Sequence, residues 1–428
     1  MDLVLQCFFR ENDVQIDGNP AAPARDSYIW WCMERPWIQR GLQAHLKNLG
    51  EAFPCLLITG PRQAGKSSLL TYVWPAVPVL RLDDLLTLRL ATEDPRGFLD
   101  QIGEPVILDE VQMVGSLLVD LKLRIDAAPH VTGRYFLTGS QVFGLMKGVS
   151  DSLAGRAVIL ELLPLSWKEL QDAKGEAGTV PEIKEVWSQM LRGFFPGAQH
   201  LTDEQAWAWT SSYLMSVVER DIRALLAITD LSRFQKFLEL LALRCGQVLK
   251  LTDVCKEAGI SHATARDWLS VLEATYVVKL IQPWYPNLSK RVTKAPKIVF
   301  TDTGILCYLL RIRTVEELGR HSLYGHIFEN MVFMEAIKRL QARGLPRSVY
   351  YHRQDGGPEV DIVVKTSSGC WAYEIKASST PDADDRRHLV TLRDPLKIEC
   401  AQVLCLASDT PLGQGIMARH FLNMELPD

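Results

Sequence analysis

The sequence predicts an α/β protein that begins with a parallel sheet between two layers of helices. Five short apolar segments are typical of buried strands: "PCLLITG", "VPVLRLDD", "PVILDEVQ", "GRYFLTGSQ" and "AVILELLPLS". Helical stretches such as "GSLLVDLKLRIDAA" separate them, and strands that alternate with helices favour a parallel, three-layer sheet. Past Leu163 the periodicity becomes mostly helical, and from about Gly325 strands and helices alternate again.

Composition and charge exclude several classes of protein. The 428 residues are 47% hydrophobic and 23% charged, with a formal net charge of -4, which is ordinary for a soluble globular protein. A uniformly basic nucleic-acid binder is excluded, whereas a local basic surface is not. No apolar run approaches the roughly 18 residues that cross a bilayer, so no membrane partner is predicted. The nine cysteines contain no CxxC pair and the N-terminus does not resemble a signal peptide, which together favour the cytoplasm.

The stretch "GPRQAGKSS" predicts a phosphate-binding loop. It has the pattern glycine, four residues, Gly-Lys-Ser, and it lies between the strand "PCLLIT" and the helix "SSLLTYVW". In such a loop backbone N–H groups surround the phosphates, Lys66 reaches the β- and γ-phosphates, and Ser67 is a ligand of Mg²⁺. The predicted cofactors are therefore ATP and Mg²⁺. The predicted nucleotide-binding residues are Gly60, Pro61, Arg62, Gln63, Ala64, Gly65, Lys66, Ser67 and Ser68.

Two further strand ends are predicted to complete the nucleotide site. "PVILDEVQ" ends in Asp109, which would hold Mg²⁺ through its water shell, and Glu110, which would orient and activate the attacking water. "YFLTGSQ" ends in Thr138, Ser140 and Gln141, which are suited to hydrogen-bonding the γ-phosphate or the attacking water. Of these three, Ser140 is the predicted sensor of the γ-phosphate.

The turn "SLAGRAV" places Arg156 between a glycine and a short strand. One interpretation is an arginine finger that reaches the nucleotide of a neighbouring subunit. The other is a solvated surface arginine, and the two stay open because a finger is recognised by geometry that a sequence does not contain.

Taken together, these motifs resemble those of a large group of prokaryotic AAA-type P-loop ATPases with a C-terminal region of unassigned role. The resemblance is carried by "GPRQAGKSS", "VILDEVQ", "LTGSQ", "SLAGRA", "LPLSWKEL", "ERDIR" and "KAPKIVFTDTGI", and it runs from about Tyr28 to the last strand. It implies a P-loop NTPase fold, a sensor at Ser140, and homo-oligomeric rings with Arg156 acting in trans. Ser67 stands where the family more often has threonine, which keeps the hydroxyl. The implied hydrolytic residues are Lys66, Ser67, Asp109 and Glu110.

The segment from residue 245 to 300 is predicted to be a helix-turn-helix followed by a wing. A first helix begins near Thr252, a turn follows at Gly259, and Ser261 caps a second helix. The second helix would bury an apolar face and expose His262, Thr264 and Arg266 to a DNA groove. The predicted apolar face consists of Ala265, Trp268, Leu269 and Leu272.

Charge in the same segment favours nucleic acid, DNA more than RNA, as a partner. Its basic residues are Lys250, Lys256, Arg266, Lys279, Lys290, Arg291, Lys294 and Lys297. Its acidic residues are Asp253, Glu257, Asp267 and Glu273. Eight cations less four anions leave a local excess of four within an acidic chain, and "SKRVTKAPK" could grip backbone phosphates. The alternative is that the winged helix docks a protein partner instead.

The C-terminal stretch "PEVDIVVKTSSGCWAYEIKAS" carries two carboxylates and a lysine on neighbouring predicted strands. Glu374 and Lys376 point to one face of a strand, so both could address one metal ion together with Asp361. The pattern resembles the restriction-endonuclease-like fold, which implies that Asp361 and Glu374 are metal ligands and that Lys376 activates water. Glu329, on an upstream helix, would be an auxiliary acid. The alternative is a docking platform on which the charges only pair.

These observations predict five segments. They are an N-terminal extension (1–27), an AAA-type ATPase core (28–165), a helical lid or connector (166–244), a winged-helix module (245–312) and a restriction-endonuclease-like α/β domain (313–428). The predicted function is an oligomeric, Mg²⁺-dependent ATPase that acts on nucleic acid. Two alternatives stay open: an ATP-dependent nuclease, and an ATP-controlled protein-docking switch without nucleic acid.

Overall fold

A computed structural model of the chain describes residues 37–140, 153–222, 230–286, 294–345, 348–354 and 356–427, with the backbone alone at 219–221. Contacts divide the chain into Met1–Gln39 and Arg40–Asp428, and the second unit holds every element named below. The predicted extension at 1–27 and the candidate Gln141 lie outside the described residues. Among the residues that are described, no helix is long and apolar enough to cross a membrane.

The first half of this unit is a five-stranded parallel sheet, which confirms the predicted fold class. Its strands are β1 (Cys55–Thr59), β2 (Val79–Arg81), β3 (Val106–Asp109), β4 (Tyr135–Gly139) and β5 (Ala157–Glu161). Their order is β2-β3-β4-β1-β5, and every neighbouring pair is parallel. β1, β3 and β4 are buried along their whole length, as expected of strands covered on both faces.

Helices cover both faces of this sheet. They are α1 (Gln43–Ala52), α2 (Lys66–Val73), α3 (Leu85–Glu93), α4 (Pro95–Gln101) and α5 (Leu117–Ala127). On one face α3, α4 and α5 bury Ala91, Leu99 and Leu121 in a cluster with the strands. On the other face Phe136 of β4 stacks on Trp74, which directly follows α2, with ring centroids 3.9 Å apart. Because β1, β3 and β4 are parallel, their carboxyl ends meet at one edge of the sheet.

A helical region follows the sheet, as predicted. It contains α6 (Trp167–Lys174), α7 (Ile183–Arg192), α8 (Asp203–Ser216) and α9 (Leu231–Ala242). α6 begins at a capping box: the Ser166 hydroxyl accepts from the Glu169 N–H at 3.1 Å, and the Glu169 carboxylate accepts from the Ser166 N–H at 2.8 Å. This box satisfies two backbone N–H groups at the start of α6.

A helix-turn-helix and a two-stranded sheet come next. The elements are α10 (Leu251–Ala258), α11 (His262–Ala274), β6 (Val278–Ile281) and β7 (Lys297–Phe300). The Ser261 hydroxyl accepts from the Thr264 N–H at 3.0 Å and caps α11 as predicted. β6 and β7 are antiparallel, and Val248 forms a further bridge to Lys297. These four elements are called the winged-helix segment below.

The C-terminal domain is a mixed sheet with helices. Its elements are α12 (Thr303–Leu309), α13 (Val315–Arg320), α14 (Tyr324–Ala342), β8 (Val349–Arg353), β9 (Glu359–Thr366), β10 (Gly369–Ile375), α15 (Arg387–Leu396), β11 (Cys400–Cys405), β12 (Thr410–Gly413) and β13 (Ile416–His420). The strand order is β12-β13-β11-β10-β9-β8. β8, β9 and β10 form an antiparallel meander, and β11 is parallel to β10. Two antiparallel hairpins before a helix and a parallel strand form the α/β domain that the sequence predicts.

α14 joins the C-terminal domain to the parallel-sheet half through polar contacts. The Glu335 carboxylate accepts from the Trp167 N–H at 2.7 Å, at the start of α6. The Lys338 ammonium donates to the Leu165 carbonyl at 2.7 Å. Burial lowers the pKa of Lys338 to about 8 and raises the pKa of Glu335. Both groups are therefore poorly solvated, and both form hydrogen bonds with the backbone of the parallel-sheet half.

One turn further along α14, Gln341 continues this contact. Its side-chain N–H₂ donates to the Glu161 carboxylate at 3.0 Å, at the end of β5. Lys279 of β6 lies 2.9 Å from the same carboxylate. The three α14 side chains Glu335, Lys338 and Gln341 are called the α14 contact below. Through it the sheet, the winged-helix segment and the C-terminal domain share one polar junction.

Candidate nucleotide site and C-terminal cavity

The predicted phosphate-binding loop lies at the carboxyl end of β1 and leads into α2. Gly60 has φ +146°, and a Cβ there would lie 2.1 Å from the Leu162 carbonyl oxygen, so a glycine is required. Gly65 has φ +92° and directly precedes α2. The Lys66 ammonium donates to the carbonyls of Gly60 at 3.1 Å and Pro61 at 2.9 Å. The lysine therefore lies against the loop that is predicted to hold the phosphates.

Arg40 supports this loop through hydrogen bonds, although the sequence predicted no role for it. Its side chain is 5% exposed and donates to the carbonyls of Ala64 at 2.8 Å and Leu163 at 2.6 Å. Its Nε lies 3.3 Å from the Glu169 carboxylate of α6. One guanidinium thus ties the loop to the end of β5 and to α6. No spacing rule could have found it, because Arg40 precedes the motif by twenty residues without a recognisable pattern.

Ser67 and Asp109 meet as the sequence predicts. The Ser67 hydroxyl donates to Asp109 Oδ1 at 2.6 Å, and the Thr138 hydroxyl hydrogen-bonds the same oxygen. Asp109 is 7% exposed at the end of β3. A serine hydroxyl and a carboxylate are oxygen ligands of the kind that Mg²⁺ prefers. With the glycine loop alongside, this pair fits a magnesium ion bound to nucleotide phosphates.

Glu110 occupies an unusual backbone conformation next to Asp109. Its φ is +59°, which is uncommon for a residue with a side chain and is seen where a site determines the conformation. Its N–H donates to the Thr138 hydroxyl at 3.1 Å, and its carboxylate accepts from the Ser140 hydroxyl at 3.0 Å. Gln112 also hydrogen-bonds the Glu110 carboxylate and lies 3.2 Å from the Ser140 hydroxyl. Two neighbours therefore hold one carboxylate oxygen in place.

The structure thus brings together the acidic residues and the predicted sensor, and it adds Gln112 to them. Ser140 contacts the Glu110 carboxylate, and its role as a sensor of the γ-phosphate stays a prediction. Thr138 was one of three candidates at the end of β4, and its hydroxyl contacts both the Asp109 carboxylate and the Glu110 N–H. Gln112 was not predicted, although a carboxamide two residues after an acidic strand end is a signal that could have been used.

Arg156 lies at the opposite edge of the sheet from the phosphate-binding loop. It directly precedes Ala157, which pairs with Cys55, the first residue of β1. The loop follows the last residue of β1, so at least about 13 Å separates the two along the strands. The Arg156 guanidinium pairs with Asp126 at 2.5 Å and 2.9 Å and is about one-third exposed. Arg156 could therefore reach a nucleotide only on another subunit, and its role in trans stays a prediction.

A cavity of about 820 Å³ opens between the winged-helix segment and the C-terminal sheet. Carboxylates from α14, β9 and β10 line its floor, and basic and aromatic side chains surround them. The acidic side chains are Glu329, Glu359, Asp361 and Glu374, together with Asp253 of α10. The basic ones include Arg244, Lys250, Lys294, Lys297, Arg353 and Lys376. The cavity therefore contains all four residues of the second site that the sequence predicts.

Glu374 is the most distinctive group in this cavity. It is 7% exposed, and its Oε1 accepts from the Lys376 ammonium at 2.8 Å. Its Oε2 is buried without a hydrogen-bond partner among the described residues. Burial and the nearby Asp361 carboxylate raise the pKa of Glu374 to about 8. A buried acceptor with an unused oxygen is the type of group that takes up a proton or a cation.

Lys297 of β7 lies between the other carboxylates. Its ammonium is 2.8 Å from Glu329 Oε1, 2.9 Å from Glu359 Oε1 and 3.3 Å from Asp361 Oδ1. Burial opposes the charge of Lys297, but the three carboxylates raise its pKa well above the usual value. Within the described residues, no group of three or more His, Cys, Asp or Glu side chains is arranged to hold a metal ion. The metal role of Glu329, Asp361 and Glu374 therefore stays a prediction.

The winged-helix segment presents less basic surface than the sequence suggests. Lys297 is 2% exposed, so the expectation that it grips phosphates on the wing is wrong. Lys279 pairs with Glu161 and faces the parallel-sheet half. His262 and Arg266 are exposed on α11 as predicted, and Thr264 is half-buried. The predicted apolar face of α11 is buried throughout, while Lys290 and Arg291 lie outside the described residues.

Comparison with known families divides the chain into three matched regions. An AAA domain model matches residues 52–171. A domain of unknown function (DUF8612) matches residues 183–316, and a second (DUF4143) matches residues 324–420. The first region contains the phosphate-binding loop with Asp109, Glu110 and Ser140.

Several known proteins and structures are similar to the chain. Uncharacterized proteins of Mycobacterium tuberculosis and Mycobacterium bovis are each 30% identical over 347 residues, which is 80% of this chain and 75% of theirs. The Walker-type ATPase of Pyrococcus abyssi covers 64% of this chain and 98% of its own, with 16% identity and a TM-score of 0.43. RuvB of Thermotoga maritima covers 56% of this chain and 85% of its own, with 16% identity and a TM-score of 0.30.

The identity to the mycobacterial proteins extends well beyond the AAA domain, across all three matched regions. The parallel strand order and the glycine loop agree with the AAA match independently of those relatives. The chain therefore belongs to the AAA-type P-loop ATPases and shares one family with the uncharacterized mycobacterial proteins.

Proposed function

We propose that this protein is a Mg²⁺-dependent ATP hydrolase that couples ATP binding and hydrolysis to the binding or remodelling of nucleic acid. The observation that carries the hydrolytic part is the pairing of Ser67 with Asp109 beside a Glu110 carboxylate held by Ser140. Phosphoryl transfer needs positioning and charge neutralisation more than covalent chemistry. Mg²⁺, when bound, would neutralise phosphate charge at Ser67 and Asp109.

Each residue of the loop and strand ends has a role in this proposal. The backbone N–H groups of residues 60–68 and the positive end of α2 bind the phosphates. The Lys66 ammonium, which lies against the loop carbonyls, pairs with the β- and γ-phosphates. Glu110 orients the attacking water and accepts its proton, while Ser140 and Gln112 keep the Glu110 carboxylate from rotating.

Oligomer formation is part of the same proposal. Arg156 lies too far from the loop of its own subunit, but it is about one-third exposed, and its one ion-pair partner among the described residues is Asp126. A surface ion pair of this kind is worth little and is readily exchanged for a phosphate group. Arg156 therefore acts on the nucleotide of an adjacent subunit in a ring.

The nucleic-acid part rests on α11. A capped helix that follows a turn and exposes His262 and Arg266 has the dimensions to enter a major groove. Lys250, which directly precedes α10, and Lys256 of α10 are exposed and supply charge for backbone phosphates. DNA is favoured over RNA because an A-form major groove is too narrow for a helix.

The test is ATP turnover by the full chain with and without duplex DNA, single-stranded DNA and RNA. We expect turnover without nucleic acid, a rise with duplex DNA, and a loss of DNA affinity of about tenfold in the double variant His262→Ala/Arg266→Ala. The control Arg233→Ala removes an exposed arginine that pairs with Asp230 outside this surface. Raising the salt concentration should weaken DNA binding in every variant.

The outcomes separate the proposal from a protein-docking switch. Turnover that ignores all three nucleic acids, with no salt-sensitive binding to any of them, would favour the docking switch and end the nucleic-acid part. Absence of turnover under all conditions would contradict the hydrolytic part.

A second candidate function, metal-dependent cutting of phosphodiester bonds in the C-terminal cavity, is favoured by the unused oxygen of Glu374. Asp361 and Lys376 lie beside it, and the basic residues of the cavity could hold phosphates. The same samples run on a gel test this candidate. Cutting should require a divalent cation and should be lost in Asp361→Ala and Lys376→Ala, and cutting that persists in both variants would contradict the assigned residues.

A further inference from the structure

The Lys297 ammonium contacts three of the cavity carboxylates at once. Three oxygens from three residues lie within 3.3 Å of its ammonium, and they belong to Glu329, Glu359 and Asp361. An ammonium group has three N–H donors, so each donor meets one carboxylate. The aromatic rings of Phe333 and Tyr351 lie 5.9 Å and 5.6 Å from the same nitrogen. Three carboxylates and two aromatic rings therefore surround the ammonium, and Lys297 is buried.

The three carboxylates on the floor of the cavity require a neighbouring cation. Glu329, Glu359 and Asp361 are each at most 28% exposed, so three carboxylates repel one another where water screens them poorly. His326 lies 3.4 Å from the second oxygen of Glu329, and its pKa is raised by that hydrogen bond. Lys297 is the one cation that contacts all three carboxylates among the described residues.

Both oxygens of Asp361 are engaged while Lys297 is in place. Oδ1 faces the Lys297 ammonium at 3.3 Å, and Oδ2 accepts from the Ile375 N–H at 2.9 Å. A divalent ion takes carboxylate oxygens at about 2.0–2.6 Å and so must share this space with the ammonium. Two cations cannot occupy such neighbouring positions without strong repulsion.

We infer that Lys297 is a resident cation of the C-terminal cavity that excludes a divalent metal ion from Glu329, Glu359 and Asp361. The unused, buried Oε2 of Glu374 is a separate observation that points to a cation in this cavity. The inference goes beyond the proposed ATP hydrolysis. It concerns cation binding, and metal-dependent cutting with Asp361 as a ligand would require Lys297 to move away first.

Lys297 and its three carboxylate partners belong to different modules of the chain. Lys297 is on β7 of the winged-helix segment, whereas its three partners are on α14 and β9 of the C-terminal domain. The cation that the cavity contains therefore depends on how the winged-helix segment packs. A ligand that moves β7 away from α14 would leave these three carboxylates without their shared cation.

The test compares Mn²⁺ binding to full-length variants by titration calorimetry in the absence of nucleotide. All variants carry Asp109→Asn, which removes the carboxylate of the nucleotide site, so that Mn²⁺ binding there does not contribute. We expect Lys297→Met to bind one Mn²⁺ per chain at least about tenfold more tightly than the chain with Lys297, because a neighbouring positive charge has been removed. Adding Asp361→Asn to Lys297→Met should abolish that gain.

A matched control is Lys279→Met, which removes the other lysine of the same two-stranded sheet. Lys279 pairs with a single carboxylate, Glu161, outside the cavity. This variant should bind Mn²⁺ no more tightly than the chain with Lys279.

Stability gives a second readout that does not depend on calorimetry. Lys297→Met should unfold at a lower temperature than the chain with Lys297 when a chelator is present. Adding Mn²⁺ should raise the unfolding temperature of Lys297→Met and so reduce this difference. Lys297→Gln, which keeps hydrogen-bond donors, serves if the methionine variant does not fold. Equal Mn²⁺ affinity with and without Lys297 in the folded variants would overturn the inference. Loss of cutting or of ATP turnover would not, because neither is measured here.

Discussion

Replacing Glu110 with glutamine will lower the rate of ATP turnover at least about a hundredfold while ATP still binds. Glutamine keeps the size of the side chain and can still bond to Ser140, which lies 3.0 Å from the Glu110 carboxylate. It cannot accept the proton of the attacking water. Since the phosphate contacts lie on the loop and on α2, binding is expected to be unchanged.

Steady-state phosphate release and titration with a fluorescent ATP analogue measure these two quantities separately. The control is Glu93→Gln, which removes an exposed carboxylate that pairs with Arg89 on α3, far from the loop. That variant should turn over ATP at the normal rate. If Glu110→Gln retains more than a small fraction of turnover, water activation belongs to another residue.

Replacing Arg40 with alanine will weaken ATP binding about tenfold and lower the free energy of unfolding by about 3 kcal/mol. The buried guanidinium satisfies the carbonyls of Ala64 and Leu163, and its loss leaves both without that donor in a dry environment. It also leaves the Glu169 carboxylate without its cation. The loop then has no fixed support behind Ala64, so its N–H groups are less well arranged for phosphates.

Nucleotide titration and denaturant unfolding check this prediction. Arg40→Lys keeps the charge but has one donor group instead of a fork, so it should recover only part of the loss. Arg89→Ala removes an arginine from the surface of α3 and should change neither quantity. Normal ATP affinity in Arg40→Ala would show that the loop holds its shape by itself.

The nucleotide-binding half could be predicted well because its signals are local. The loop "GPRQAGKSS" begins directly after a buried strand, and the chemistry of Lys66, Ser67 and Asp109 follows from the ends of strands that lie in one sheet. Parallel strands bring their carboxyl ends to one edge, so residues distant in sequence meet there. The contact of Ser67 with Asp109 is a direct result of that rule.

Arg40 and Lys297 could not be predicted because each depends on contacts between distant segments. The Arg40 contact with Leu163 spans 123 residues, and nothing in the sequence links the two. Lys297 counted as a surface cation because a lysine after "KAP" in a basic stretch is usually solvated. Only the packing of β7 against α14 and β9 shows that it is enclosed.

The cation in the C-terminal cavity could not be predicted either, because it also comes from a distant segment of the chain. Alternation along β10 correctly places Glu374 and Lys376 together, and they form an ion pair. Alternation does not determine whether a third group is a metal ion or a lysine from another module. The sequence alone therefore identifies the residues of the cavity but not the cation between them.

The α14 contact has a mechanical consequence. α14 is a single helix of 19 residues, and Glu329 near one end faces the cavity while Glu335, Lys338 and Gln341 contact the parallel-sheet half. About 14 Å of helix separates Glu329 from Lys338, which is too short and too well buried to bend appreciably. A shift of α6 relative to the C-terminal sheet would therefore displace the Glu329 carboxylate at the other end of this helix. The helix that joins the two halves is thus also a means of converting motion in one into a changed spacing of charges in the other.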